Sequence, residues 1–261
     1  MHDWTLLNNE KRFIVEDVIL KWEAMLDDKS LNEHHYQRFL CDHAGLFFVT
    51  PGSYFMLTKP DMGGECVPDL VQLYDNESFG LIYRFIELES PHDQVFTGKG
   101  TQAVALTEAL QQVEDWQRWL AKNHQTGSEL FPSKAYKLTG DPQARFSVII
   151  GRRKAVSQHE EIRIQKSRQY NCDIRTFDYL TDLLRKQMYL NLMFGESDRD
   201  LTEEEKNELV SPFFKAMPSA DWRKLRRHNP FYNSHSMGWN AKAILKFRKI
   251  NHELQEQFEN T

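Results

Sequence analysis

Hydrophobic and polar positions along this chain repeat with two periods, and the switches between them mark out the elements. In residues 9–27 Val15, Val18, Ile19, Trp22, Met25 and Leu26 recur at spacings of three and four, which predicts an amphipathic helix. A second helix is expected over 31–43, with Asp27, Asp28 and Ser30 as start signals and Gly45 as its stop. The pattern then turns short and β-like. Segments 47–49, 53–58, 67–74 and 79–89 are rich in β-branched and aromatic residues and are separated by Pro, Gly, Asp and Asn. They predict a mostly antiparallel group of strands, with a hairpin turn at 75–78.

Helical spacing returns over 100–124, where Leu106, Leu110, Val113, Trp116 and Leu120 form one stripe. Residues 139–143 read as a loop. The apolar run FSVIIG at 146–151 reads as a strand buried on both faces. A helix over 156–169, a strand over 172–176 and a leucine-rich helix over 178–194 follow. Residues 195–208 are polar and acidic. The last stretch, 211–261, holds a basic group, an aromatic turn at 229–233 and a final helix from about Trp239. Trp116 and Trp119 are expected in the core, and Phe231, Tyr232 and Trp239 are expected to pack the tail onto it, the alternative being that they stack on bases.

At 261 residues and 40% hydrophobic, the chain is long and apolar enough for one large core. No run of about 18 apolar residues predicts a membrane span. The first residues, MHDWTLLNNEKRF, lack the basic start and apolar stretch of a signal peptide. A cytoplasmic protein with no membrane partner is expected. Cys41, Cys66 and Cys172 are odd in number and far apart, which suits reduced residues. The net charge of −5 is unevenly spread: residues 1–143 carry 12 Lys and Arg against 22 Asp and Glu, while 144–261 carry 21 against 16. A basic half suits an acidic polymer as partner.

The candidate chemistry lies in 68–89. Side chains alternate along a strand, so Glu87 and Glu89 point one way, on the face of Leu81, Tyr83 and Phe85. Asp69 lies on the neighbouring strand. Three such carboxylates repel one another unless a cation sits between them, and oxygen ligands suit Mg²⁺ or Mn²⁺. The alternative is that both glutamates face solvent on a half-exposed strand. His34 and His35 have no HExxH spacing, and no GxxxxGK[ST] phosphate loop occurs.

The order of an early helix, PD at 68–69, IELESP at 86–91, QVEDW at 112–116 and FSVIIG resembles the PD-(D/E)xK nuclease core. More narrowly, with TFDYLTDLL at 176–184, it is similar to the Shedu-type domain of bacterial anti-phage defence proteins. The resemblance covers about residues 30–190. It implies an α/β fold with a PD-(D/E)xK restriction-endonuclease-like core, a mixed sheet flanked by helices, and a helical C-terminal extension. The divisions expected are an N-terminal helix at 1–29, the core at 30–194 and a basic extension at 195–261.

By position, Asp69 resembles the family's metal-binding aspartate and Glu87 its second acidic ligand. Glu33 resembles the helical glutamate that completes the metal shell, and Gln112 the supporting glutamine. Glu89 stands where most members place lysine, so the motif is E-x-E rather than E-x-K. It is able to accept a proton from the attacking water or to bind a second metal. Lys99, in TGKG at 97–100, is the candidate for the missing cation, or else a solvated loop lysine. The implied activity is Mg²⁺- or Mn²⁺-dependent hydrolysis of a DNA phosphodiester, by a homo-oligomer. Arg223, Lys224, Arg226 and Arg227 would bind phosphates, or else decorate a helix or pair with 203–208. The alternative function is an inactive nuclease-fold module that binds or senses nucleic acid or a protein partner.

Overall fold

The computed structural model describes residues 12–48, 53–76, 80–141, 143–187, 202–209, 211–228 and 241–260. Strands β1 (Ser53–Thr58), β2 (Leu70–Asp75) and β3 (Leu81–Leu88) form the expected antiparallel meander. Strands β4 (Ala144–Ile149) and β5 (Asp173–Arg175) extend it in parallel beyond β3. The apolar run of β4 reads as continuous rather than alternating because a parallel strand is covered on both faces. The result is a mixed six-stranded sheet, closed at its other edge by a strand from the C-terminal region.

Helices cover both faces. Helix α1 (Phe13–Asp27) turns Ile14, Val15, Val18, Trp22 and Leu26 inward, as its spacing predicts. Trp22 meets Tyr36 and Phe39 of α2 (Glu33–Asp42) and Phe47 of α3 (Ala44–Phe48). On the other side of the sheet α4 (Val104–Lys122) lays its apolar stripe down, with Trp116 on Phe85 at 6.3 Å. Short helices α5 (His124–Leu130), α6 (Lys134–Thr139) and α7 (Arg153–Val156) and the longer α8 (Glu160–Tyr170) fill the connections. Helix α9 (Phe177–Gln187) returns to α1, where the Trp22 indole N–H donates to Thr181 Oγ1 at 3.1 Å. Among the described residues no helix is long and apolar enough to cross a membrane. All three cysteines are free thiols.

Several expectations change. Phe47 and Phe48, read as strand, belong to α3, whose five residues are all buried. A short apolar run cannot tell a buried helix from a strand; here the Leu46 and Phe47 N–H groups donate to the His43 carbonyl and close a helical turn. Gly45, read as a stop, lies inside α3 because the chain at Pro212 crosses it so closely that a Cβ would stand 2.2 Å from the Pro212 carbonyl oxygen. Val67 precedes β2 and is exposed, so Asp69 immediately precedes the strand rather than lying within it.

The segment read as a helical extension also supplies strands. β6 (Phe214–Lys215) pairs with β8 (Lys249–Ile250), and β7 (Met217–Pro218) joins the main sheet beside β1. Helices α10 (Glu203–Leu209) and α11 (Ser219–Leu225) flank β6 and β7. The expected single final helix is divided into α12 (Ala241–Phe247) and α13 (His252–Glu259). Buried Arg248 donates to the carbonyls of Glu208 and Ser211, and the Asn251 N–H donates to the Phe213 carbonyl at 2.6 Å. These bonds hold 248–251 out of helical geometry. Phe213, Phe214, Trp222 and Leu225 belong to the same core as the sheet. The aromatic turn at 229–233, Trp239 and the 188–194 end of the leucine-rich helix lie outside the described residues.

Gly45→Ala ordinarily gains helix propensity. Here the new methyl meets backbone, so unfolding free energy is expected to fall by about 1–3 kcal/mol, as in overpacked cores. Urea denaturation at neutral pH measures it; an unchanged midpoint would refute the close crossing.

Candidate metal and acidic site

The β2–β3 register sets Leu70 opposite Ile86, which carries Asp69 alongside Glu87. Asp69 is held from two directions: Gln37 Nε2 donates to Oδ1 at 2.9 Å, and the Leu88 backbone N–H donates to Oδ2 at 3.0 Å. Lys59, just beyond β1, brings Nζ to 4.0 Å from Oδ1 and donates its backbone N–H to the Asp69 carbonyl. Its φ of 45° places this lysine in the left-handed region. Glu33 opens α2, and Gln37 lies four residues on, so the two share a helix face.

Glu87 ends the apolar face formed by Leu81, Tyr83 and Phe85, and it is only 6% exposed. Its Oε2 is buried with no hydrogen-bond partner. Burial first, then the charges of Asp69, Glu89 and Glu33, push its pKa up to about 9, against a hydrogen bond from Gln112 of α4. Glu89, half-buried just past β3, is pushed up to about 7 by burial and then by Glu33, Asp93, Asp69 and Glu108. Burial also raises Asp69, with the Leu88 N–H, Lys59, His34 and Gln37 opposing. Glu33 is raised by burial and by Asp69, opposed by His34 and Lys59.

Residues 30–181 match the family model described as Shedu protein SduA, C-terminal. The chain belongs to the Shedu family. Membership points to anti-phage defence, and the matched stretch contains Glu33, Asp69, Glu87, Glu89 and Gln112. Comparison with curated proteins finds no match.

The Shedu domain thus brings five of its candidate site residues into one electrostatic neighbourhood. The donor set suits a hard dication: every donor is an oxygen, the carboxyls raise one another, and one buried oxygen lacks a partner. Among the described residues, though, no three His, Cys, Asp or Glu side chains converge into a complete metal-binding group. Glu33 and Glu89 are both half-buried.

Lys99 is not drawn in. It is exposed at the tip of a turn in which the Gly100 N–H donates to the Thr97 carbonyl, and it has no ion pair among the described residues. The cation beside the carboxylates is Lys59. The basic group is also elsewhere. Arg223 and Lys224 lie exposed on α11 and Arg227 just after it, while Arg226 Nη1 donates to the Glu129 carbonyl. Trp222, in the same helix, packs on Phe55 and Tyr83. Tyr83 precedes Glu87 by four residues, about 13 Å along β3.

Gln37, Lys59 and Asp93 escaped the sequence reading. Gln37 had a usable signal, since it stands one helical turn from Glu33. Lys59 and Asp93 had none, because separate loops deliver them.

The buried carboxyl makes a prediction. Its folded pKa, near 9, lies above the unfolded value of about 4.5, so folding takes up a proton. The associated stability is full below about pH 4.5 and is lost as pH rises towards 9. In EDTA, Glu87→Gln is therefore expected to stabilise the protein at pH 8 by a few kcal/mol and to flatten its pH dependence, at most about 1.4 kcal/mol per pH unit. Urea titrations at pH 6, 7 and 8 measure this; a Gln variant less stable than wild type at pH 8 would contradict it.

Proposed function

We propose that this Shedu domain is a metal-dependent DNA endonuclease of the PD-(D/E)xK type, acting in anti-phage defence. The observation that carries the reading is Asp69 beside a buried Glu87 whose Oε2 has no partner. The antiparallel β1–β2–β3 meander, then α4, then parallel β4, supports the nuclease-type core.

Asp69 and Glu87, with Glu33 swung in, would hold Mg²⁺ or Mn²⁺. When bound, the ion supplies Lewis-acid polarisation of a phosphoryl oxygen and a lowered pKa for its water. Gln37 and the Leu88 N–H fix the Asp69 carboxylate, leaving little freedom in its orientation. Gln112 does the same for Glu87. Glu89, with its pKa near 7, accepts the proton of the attacking water on its carboxylate as the new P–O bond forms. The P–O bond to one deoxyribose breaks, and that oxygen leaves with the bonding pair and takes a proton from solvent water. Lys59 stands where its ammonium offsets negative charge growing on the phosphoryl group.

Nicking of supercoiled plasmid by the purified chain with Mg²⁺ or Mn²⁺ tests this. Asp69→Asn and Glu87→Gln are expected to lower the rate at least 100-fold. Glu89→Gln should lower it about 100-fold or more and remove the rise of rate with pH near 7. Lys59→Met should cost about 10-fold. Undiminished nicking by Glu87→Gln would sink the proposal.

One observation favours a second reading, that of a binding module without catalysis. Glu89 stands where the PD-(D/E)xK pattern has lysine, and among the described residues no three acidic side chains converge on one point. Calorimetric titration with Mn²⁺ separates the two. The nuclease reading expects saturable uptake that Glu87→Gln weakens at least 10-fold, whereas the binding module expects none.

A further inference from the structure

A second chemistry-bearing feature lies away from the carboxylates. Strand β5 stops short: its first residue, Asp173, pairs with Ser147, so residues 144–146 of β4 have no β5 neighbour. The corner left open is a cavity of about 410 Å³ between this part of β4 and the second half of α8. Five arginines line it, Arg84, Arg145, Arg163, Arg168 and Arg175, against one carboxylate, Asp173.

That carboxylate stands 3.9 Å from Arg175, and Arg163 pairs with Glu160 of its own helix. Among the described residues Arg84, Arg145 and Arg168 have no ion pair. Arg84 is half-buried, lies over the Tyr74 ring at 5.1 Å, and has a buried Nε with no hydrogen-bond partner. By strand alternation Arg84 and Glu87 point to opposite faces of β3, so Arg84 turns away from the acidic site. Arg145 and Arg168 are exposed, but the desolvated Arg84 donor among these like charges is costly unless an anion joins it.

The size and walls narrow the anion. A phosphate occupies the space of only a few waters, each about 30 Å³ in the liquid. The cavity falls in the range of small-molecule sites, about 300–1,000 Å³. Beside the arginines it offers apolar surface from Phe146 and Ile164. Guanidinium forks match phosphate oxygens bidentately, and planar rings pack on apolar and guanidinium faces. We infer that this corner of the sheet is a binding site for a nucleoside phosphate. Arg84, Arg145 and Arg168 take the phosphates, and Ile164 faces the nucleoside.

The test uses the full chain in EDTA at about 0.15 M salt, so it does not depend on the nuclease reading. A fluorescently labelled adenosine diphosphate is titrated by anisotropy. Saturable binding at one site is expected, weakened at least 10-fold by Arg84→Gln and by Arg145→Gln. Ile164→Glu, a change at a 40% exposed position, should abolish it while leaving the thermal midpoint near wild type. Unlabelled adenosine diphosphate should displace the probe at concentrations at least 10-fold below those of inorganic phosphate. The inference is overturned by no saturation at millimolar probe, or by binding that survives both arginine changes. Displacement by inorganic phosphate as effective as by the nucleotide also overturns it, as does a 5′-phosphorylated DNA duplex displacing the probe better than the nucleotide does. Loss of binding in Glu87→Gln would place the ligand at the acidic site and overturn it too.

Discussion

Asp69 and Glu87 stand side by side because β2 and β3 pair with Leu70 opposite Ile86, and the surroundings of the pair are arranged around that contact. Two carboxyls at the dry end of a sheet repel each other and lose hydration. Hydrogen-bond donors and one ammonium offset part of this: Gln37, the Leu88 N–H and Lys59 at Asp69, and Gln112 at Glu87. The rest is expressed as a raised pKa and an oxygen without a partner. A slip of one residue along β3 would turn Glu87 to the opposite face and disperse the cluster.

The register is secured by packing remote from the chemistry. Phe85 lies on Trp116 and stacks on Phe146, which ties β3 to α4 and β4. Trp22 gathers α1, α2, α3 and α9 through Tyr36, Phe39, Phe47 and Phe177. That cluster holds α2 in place, and with it Glu33 and Gln37. At the far edge β7 pairs with Leu57 and Thr58, so the end of β1 that leads to Lys59 is not left as an open edge. Fold and site are therefore coupled: the aromatic core decides where the carboxylates stand.

The two charged sites fit one sheet because strands alternate and differ in length. Glu87 and Arg84 are three residues apart on β3 and point to opposite faces. The acidic site lies where β3 ends, and the basic corner opens where β5 stops short of the start of β4. For Arg84, the sheet itself thus separates the opposite charges.

What the sequence determined alone is what local periodicity encodes: the α1 and α4 stripes, the β1–β2–β3 meander, and the shared face of Leu81, Tyr83, Phe85 and Glu87. Motif order added Asp69, Glu33 and Gln112. What only the tertiary structure decided depends on where distant segments cross. Phe47 and Phe48 are helix because the chain there turns back on the His43 carbonyl, and Gly45 is glycine because Pro212 crosses it. Helices α5 and α6, with seven and six residues, are too short to show a period. The two-residue strands β6, β7 and β8 exist only through their partners. Lys59, rather than Lys99, meets Asp69 because the end of β1 runs beside it, a proximity written in strand pairing and not in residue spacing.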